Sequence, residues 1–162
     1  MIHLRINIES KVIMDFITST PNPFVIEELE HNIRKQQILI SQESVNTTDF
    51  YALDSEMHSI WFTDRKCKDL WNLIQQQEIH YTRFRMLDFV ETQKYSEISG
   101  DHVILLNAIK NNETENINSI LGRHLNGGLR RMGIKVLNQY SSYFKEPKDE
   151  SYWAEYNKKY FD

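Results

Sequence analysis

Apolar residues recur at helical spacing along most of this chain, and that periodicity excludes most folds at once. Ile2, Ile6, Val12, Ile13, Phe16 and Ile17 mark the first stripe, which stops near Thr18-Ser19-Thr20-Pro21-Asn22-Pro23. A second helix is expected from Phe24 to about Ser41, with Ile26, Leu29, Ile33 and Ile40 inward and Glu27, Glu28, Lys35 and Gln36 outward. Asn46-Thr47-Thr48-Asp49 offers N-caps for a third, from about Asp49 to Thr63. The longest periodic stretch predicts one helix from Cys67 to about Thr92, in which Leu70, Leu73, Ile74, Tyr81, Phe84 and Leu87 cluster and Arg85 and Asp88 also point inward. A fifth helix follows from about Ser99 to Lys110. The sixth is opened by Asn112 with Glu115, a relative of the capping box, and runs to about Gln139 with a weak point at Gly127-Gly128. Tyr140 to Asp162 reads as a loop around Pro147 and one short helix. With only 5 Gly and 3 Pro, and Asn126-Gly127 lacking alternating flanks, nothing supports a hairpin. The expected fold class is all-α.

The 162 residues, 40% of them hydrophobic, suffice for one ordinary core, so a single domain over 1–162 is expected. A net charge of −4 argues against a broad nucleic-acid or anionic-membrane footprint, because neutralising phosphates needs clustered basic residues. The single Cys67 cannot form an internal disulfide, no basic, apolar leader opens the sequence, and no apolar run approaches a membrane span. A soluble cytoplasmic protein is expected.

Chemistry concentrates at Asp54, His58, His102 and His124. Asp54 and His58 are four apart, so on a helix both project from one face. Imidazole and carboxylate together suit a divalent ion, with zinc or nickel first and manganese or iron next. A tetrahedral ion would be saturated by four such ligands, whereas an octahedral one would keep two positions open. Glu56, Asp101 and Asp88 are candidates to accept from the histidines' other ring nitrogens. Spacing alone also fits four unrelated polar residues.

The surrounding residues add a resemblance. Leu53-Asp54-Ser55-Glu56-Met57-His58 resembles the Asp-x-x-Phe-His element of the ligand-binding FCD domain in the FadR subgroup of GntR-type transcriptional regulators. Asp101-His102-Val103-Ile104-Leu105-Leu106-Asn107-Ala108-Ile109 is similar to that family's Glu-His-x-x-Ile-x-x-Ala-Ile element, and His124 follows at the family's 22-residue interval. Arg5-Ile6-Asn7-Ile8-Glu9 is similar to the Arg-x-x-x-Glu pattern of its first helix. The resemblance implies an antiparallel bundle of six or seven helices around a central metal and effector cavity. It implies Asp54, His58, His102 and His124 as ligands, a small carboxylate effector gripped by arginines for which Arg5 and Arg85 are the candidates, and a homodimer. Such regulators reach DNA through an N-terminal winged helix-turn-helix domain, which is not expected within this chain. Thr63-Asp64-Arg65-Lys66 departs from the family's small-Gly-Asn turn, and Gly127-Gly128 is also unusual.

The expected function is thus a metal-dependent effector-binding and dimerisation domain of a regulator, not an enzyme. One alternative is a metal-dependent hydrolase, which lacks an obvious base because Glu56 should point away from Asp54 and His58. Another is a helical interaction module without a metal, using tail residues such as Trp153, Tyr156 and Tyr160.

Overall fold

A computed structural model describes residues 1–143, which form seven α-helices and no strand. They are α1 (Ile2–Thr18), α2 (Pro23–Ile40), α3 (Thr47–Asp64), α4 (Lys68–Gln77), α5 (Ile79–Thr92), α6 (Tyr95–Lys110) and α7 (Ile117–Gln139). The all-α expectation holds. The expected tail loop and short helix, with the aromatic residues Trp153, Tyr156 and Tyr160, lie outside the described residues.

Side-chain caps start two of the helices, α2 and α3. Asn22 accepts from the Phe24 N–H with Pro23 in the first turn, and Asn46 accepts from the N–H groups of Thr48 and Asp49. The capping pair expected at Asn112 and Glu115 does not form: Asn112 is left-handed at φ 58°, and a 3-10 turn over Thr114–Asn116 precedes α7. Glu113 instead accepts from the Asn111 and Asn116 side chains. Helix α6 begins a turn earlier than expected, where Tyr95 is buried against Phe50 with ring centroids 5.0 Å apart and its hydroxyl shares a hydrogen bond with Thr47.

The expected long helix over 67–92 is two helices. Glu78, at φ −91° and ψ 4°, ends α4 and begins α5 without a glycine or proline to mark the break. Its carboxylate is buried 3.1 Å from Arg5 Nε. Within α4, Trp71 and Ile74 go inside, while Leu73, expected inward, is 52% exposed. Gly127-Gly128 leaves α7 unbroken and lets it approach α5: a Cβ on Gly128 would sit 3.1 Å from Phe84 Cε1 and 3.3 Å from Asp88 Oδ2.

Helix α1 packs on α7, α2 on α3 and α6, and α7 also on α5 and α6. The main core joins Ile13, Phe16, Leu29, Trp61, Leu105 and Leu121, each side chain contributing about 1.5–3 kcal/mol by its burial. Phe50, Phe89, Tyr95 and Ile98 form a second cluster.

Candidate metal centre

Helices α3, α6 and α7 bring Asp54, His58, His102 and His124 together at the middle of the bundle. All four are buried, and one ligand-type atom from each lies within 4.8 Å of the others. His58 Nε2 is 3.2 Å from His124 Nε2, which is 3.3 Å from His102 Nε2, and His102 Nε2 is 3.4 Å from Asp54 Oδ1.

The outward-facing ring atoms show what those inner atoms carry. His58 Nδ1 lies 2.6 Å from Glu9 Oε2, and His102 Nδ1 lies 2.7 Å from Gln36 Oε1. Each acceptor takes a proton from Nδ1, which leaves the Nε2 lone pair of each ring turned inward. Two such lone pairs converge on His124 Nε2 beside the buried Asp54 Oδ1, which has no hydrogen-bond partner among the described residues, and a cation between them would meet all four atoms. Three imidazole nitrogens and a carboxylate oxygen suit a borderline divalent ion, so the residues present fit a metal.

The acceptors differ from those expected. Glu9 and Gln36 hold two of the rings: Gln36, expected on the outer face of α2, lies inside, and Glu9, the acid of the Arg-x-x-x-Glu element, accepts from His58. Gln36 is 0% exposed because it shares the buried face of α2 with Leu29, Asn32 and Ile33. Asp101 Oδ2 is 3.7 Å from His124 Nδ1, beyond a hydrogen bond, while its Oδ1 accepts from Arg123. Asp88 pairs with Arg131, and the exposed Glu56 bonds Asn32. His31 and His80 are exposed and stand apart from the cluster.

Both arginines reach the interior. Arg85 pairs with Asp54 Oδ2, and its guanidinium lies 5.2 Å from the Tyr51 ring and 5.8 Å from that of Tyr81. Arg5, fully buried, directs Nε to Glu9 Oε1 at 2.5 Å and to Glu78, with the Trp71 and Tyr81 rings against its guanidinium. Its two terminal nitrogens have no partner among the described residues.

Burial shapes the ionisation. It disfavours charge on Glu9, but Arg5 and His58 outweigh it and hold the carboxyl down at about 2. Asp54 is likewise held well below the usual carboxylate range, with Arg85 and the histidines overcoming its burial. Burial, with His102 and His58 beside it, takes His124 down to about 3 against the pull of Asp101, and burial also lowers His58. Burial raises Glu78 despite Arg5 and Arg85.

A cavity of about 20 Å³, room for about one water, lies beside the cluster among His124, Arg85, Tyr81, Asp88 and Arg131. The roomier groove of about 420 Å³ between α2 and α3 contains none of the cluster residues.

Comparison with protein families gives one finding, a match of the FCD domain model to residues 1–127. The chain belongs to the FCD family. FCD domains are the C-terminal, effector-binding domains of GntR-family regulators and not an enzyme family. They bind small-molecule effectors and usually dimerise. The match spans all four cluster residues and both arginines. Neither the curated proteins nor the solved structures contain a match to this chain. No helix among the described residues of this FCD chain is long and apolar enough to cross a membrane.

Proposed function

We propose that residues 1–162 form one effector-binding and dimerisation domain of a cytoplasmic regulator of the FadR subgroup. In this reading Asp54, His58, His102 and His124 hold one divalent ion, zinc or nickel before manganese or iron, and the effector is a small organic acid. Contact with DNA falls to a winged helix-turn-helix domain rather than to these helices. The observation that carries the reading is the inward convergence of three imidazole nitrogens and the unpartnered Asp54 Oδ1.

Charge balance supports an anionic ligand. Without a metal, the buried guanidinium groups of Arg5 and Arg85 offset the carboxylates of Glu9 and Asp54, and burial favours the neutral form of Glu78. A divalent ion added to that interior leaves it net positive, and a bound carboxylate offsets part of that excess and a dicarboxylate all of it. Arg5 has two free nitrogens for such a ligand, and Arg85 lines the cavity beside His124. The bound ion would supply a Lewis-acidic site for a carboxylate oxygen. Because the cavity holds about one water, seating an acid must displace side chains between α5 and α7, a change that a dimer interface could transmit.

Metal analysis of protein purified without chelator or nickel resin should give about one divalent ion per chain, and less than about a tenth of that in His102→Ala. A native protein without metal would sink the reading. Small mono- and dicarboxylates should raise the thermal midpoint of the metal-loaded protein more than that of the metal-free protein, by ligand linkage and without turnover. Turnover of a stabilising acid or ester would favour the hydrolase.

A further inference from the structure

The direction of a hydrogen-bond chain can be read outward from a backbone atom, because a peptide carbonyl only accepts. The carbonyl oxygen of Leu53, one residue before Asp54, accepts from Asn32 Nδ2 at 3.1 Å, and Glu56 Oε2 accepts from the same nitrogen at 2.9 Å. Two acceptors on one side settle which end of the Asn32 amide is nitrogen. Asn32 Oδ1 therefore accepts, and it does so from Gln36 Nε2 at 2.8 Å. That orients the second amide, so the atom 2.7 Å from His102 Nδ1 is Gln36 Oε1, which only accepts. His102 must then keep its proton on Nδ1 and turn an Nε2 lone pair toward Asp54 and His124. Asn32 is 2% exposed and Gln36 0%, so water does not compete for these bonds.

We propose that Asn32 and Gln36 form a one-directional amide relay that holds His102 in the tautomer able to ligate a divalent ion. They are positioning residues of the centre. Asn32 touches none of the four ligands through its side chain, yet it is what stops Gln36 from turning. A glutamine amide rotated by half a turn would offer NH₂ to Nδ1, move the ring proton to Nε2 and block the lone pair. This inference rests on the metal reading above, but its first readout needs no metal.

Nitrogen-15 NMR of histidine-labelled, metal-free protein distinguishes protonated from unprotonated ring nitrogens. In the native full chain His102 is expected as the Nδ1–H form. Asn32→Leu and Gln36→Leu should both populate the Nε2–H form and weaken zinc or nickel binding about 10-fold or more, read by titration. Gln36→Glu should keep the Nδ1–H form and bind within a few-fold of native, because a carboxylate can only accept. Circular dichroism melts identify any variant that does not fold, and the comparison between Gln36→Glu and Gln36→Leu then stands without Asn32→Leu. An Nε2–H ring in the native protein, an Asn32→Leu tautomer unchanged from native, or a Gln36→Glu no better than Gln36→Leu would overturn the relay. A native protein that binds no metal but shows the tautomer shift in Asn32→Leu would leave the relay standing and remove the metal reading instead.

Discussion

His58 and His102 face one centre from opposite walls, and the walls are built from unlike chemistry. On the α1 side, His58 meets the Glu9 carboxylate, which meets the Arg5 guanidinium, which meets Glu78 at the α4–α5 break. On the α2 side, His102 meets two neutral amides that end on a backbone carbonyl. Members of the charged wall compensate one another, so removing one leaves another buried and unpaired. The amides carry no net charge, and what they supply is direction. The charged wall should therefore govern stability and the neutral wall metal binding.

The largest effect expected from that difference is at Glu9. Glu9→Ala strips a buried acceptor from both Arg5 and His58 and should cost about 3–5 kcal/mol in urea unfolding of the metal-free protein. Gln36→Leu removes two hydrogen bonds between neutral groups and should cost less, about 1–3 kcal/mol. Equal losses would erase the contrast between the walls.

Acid should reach the histidines first. His124 takes up its proton near 6.5 when unfolded but only near about 3 when folded, and His58 is shifted the same way. The unfolded chain thus binds more protons over that interval, and stability falls as pH drops below 6.5. Glu9, held at about 2 against an ordinary 4.5, and Asp54 contribute stability that is present above their unfolded pKa and lost as pH falls through the folded one. The two effects share a sign and together amount to a few kcal/mol. Urea midpoints of the metal-free protein should decline from pH 6.5 downward, and His124→Gln should reduce the slope between 6.5 and about 3 while the Glu9 and Asp54 contributions below 4.5 remain.

The four ligand positions were legible because Asp54 and His58 obey helical spacing and their flanks carry a family pattern. The helices were legible because their apolar stripes do, with Ile13, Phe16, Leu29 and Trp61 all buried as the period requires. Gln36 was misplaced by its polarity, although Leu29, Asn32, Ile33 and Gln36 already describe one helix face. Taking spacing before hydrophobicity would have put it inside. The break at Glu78 carries no glycine or proline to mark it, and the buried contact of its carboxylate with Arg5 joins residues far apart in sequence. Glu9 is visible in the Arg-x-x-x-Glu pattern beside Arg5, but its contact with His58 is not, because that contact joins α1 to α3.

Packing of α5 against α7 gives a smaller effect. Gly128→Ala puts a methyl group against the Phe84 ring and the Asp88 carboxylate, which is held by Arg131, so both side chains must give way, at a cost of about 1–3 kcal/mol. Gly122 has nothing within 4 Å of its Cβ position, and Gly122→Ala should gain about 0.5–1 kcal/mol from helix propensity alone. Thermal melts of the pair separate close approach from propensity. If both variants gain, α7 does not need the glycine to sit against the Arg85 side of the centre.

Glu78 gives the smallest effect and the sharpest test of how the charged wall is balanced. It touches the same Arg5 nitrogen as Glu9, yet burial raises its carboxyl while Glu9 goes to about 2. A raised carboxyl stabilises the fold below its unfolded pKa and loses that contribution as pH rises through the folded value. At neutral pH its ionised form is therefore a net cost that Glu78→Gln removes. The variant should match or slightly exceed the parent there, within about 1 kcal/mol, and lose any advantage below pH 4.5. Glu9→Gln, measured alongside, should be destabilised at neutral pH because it breaks the pairing that Arg5 and His58 share. A Glu78→Gln loss as large as that of Glu9→Gln would mean that Arg5 needs both carboxylates ionised, and the metal-loaded interior would then carry a smaller positive excess for an acidic effector to answer.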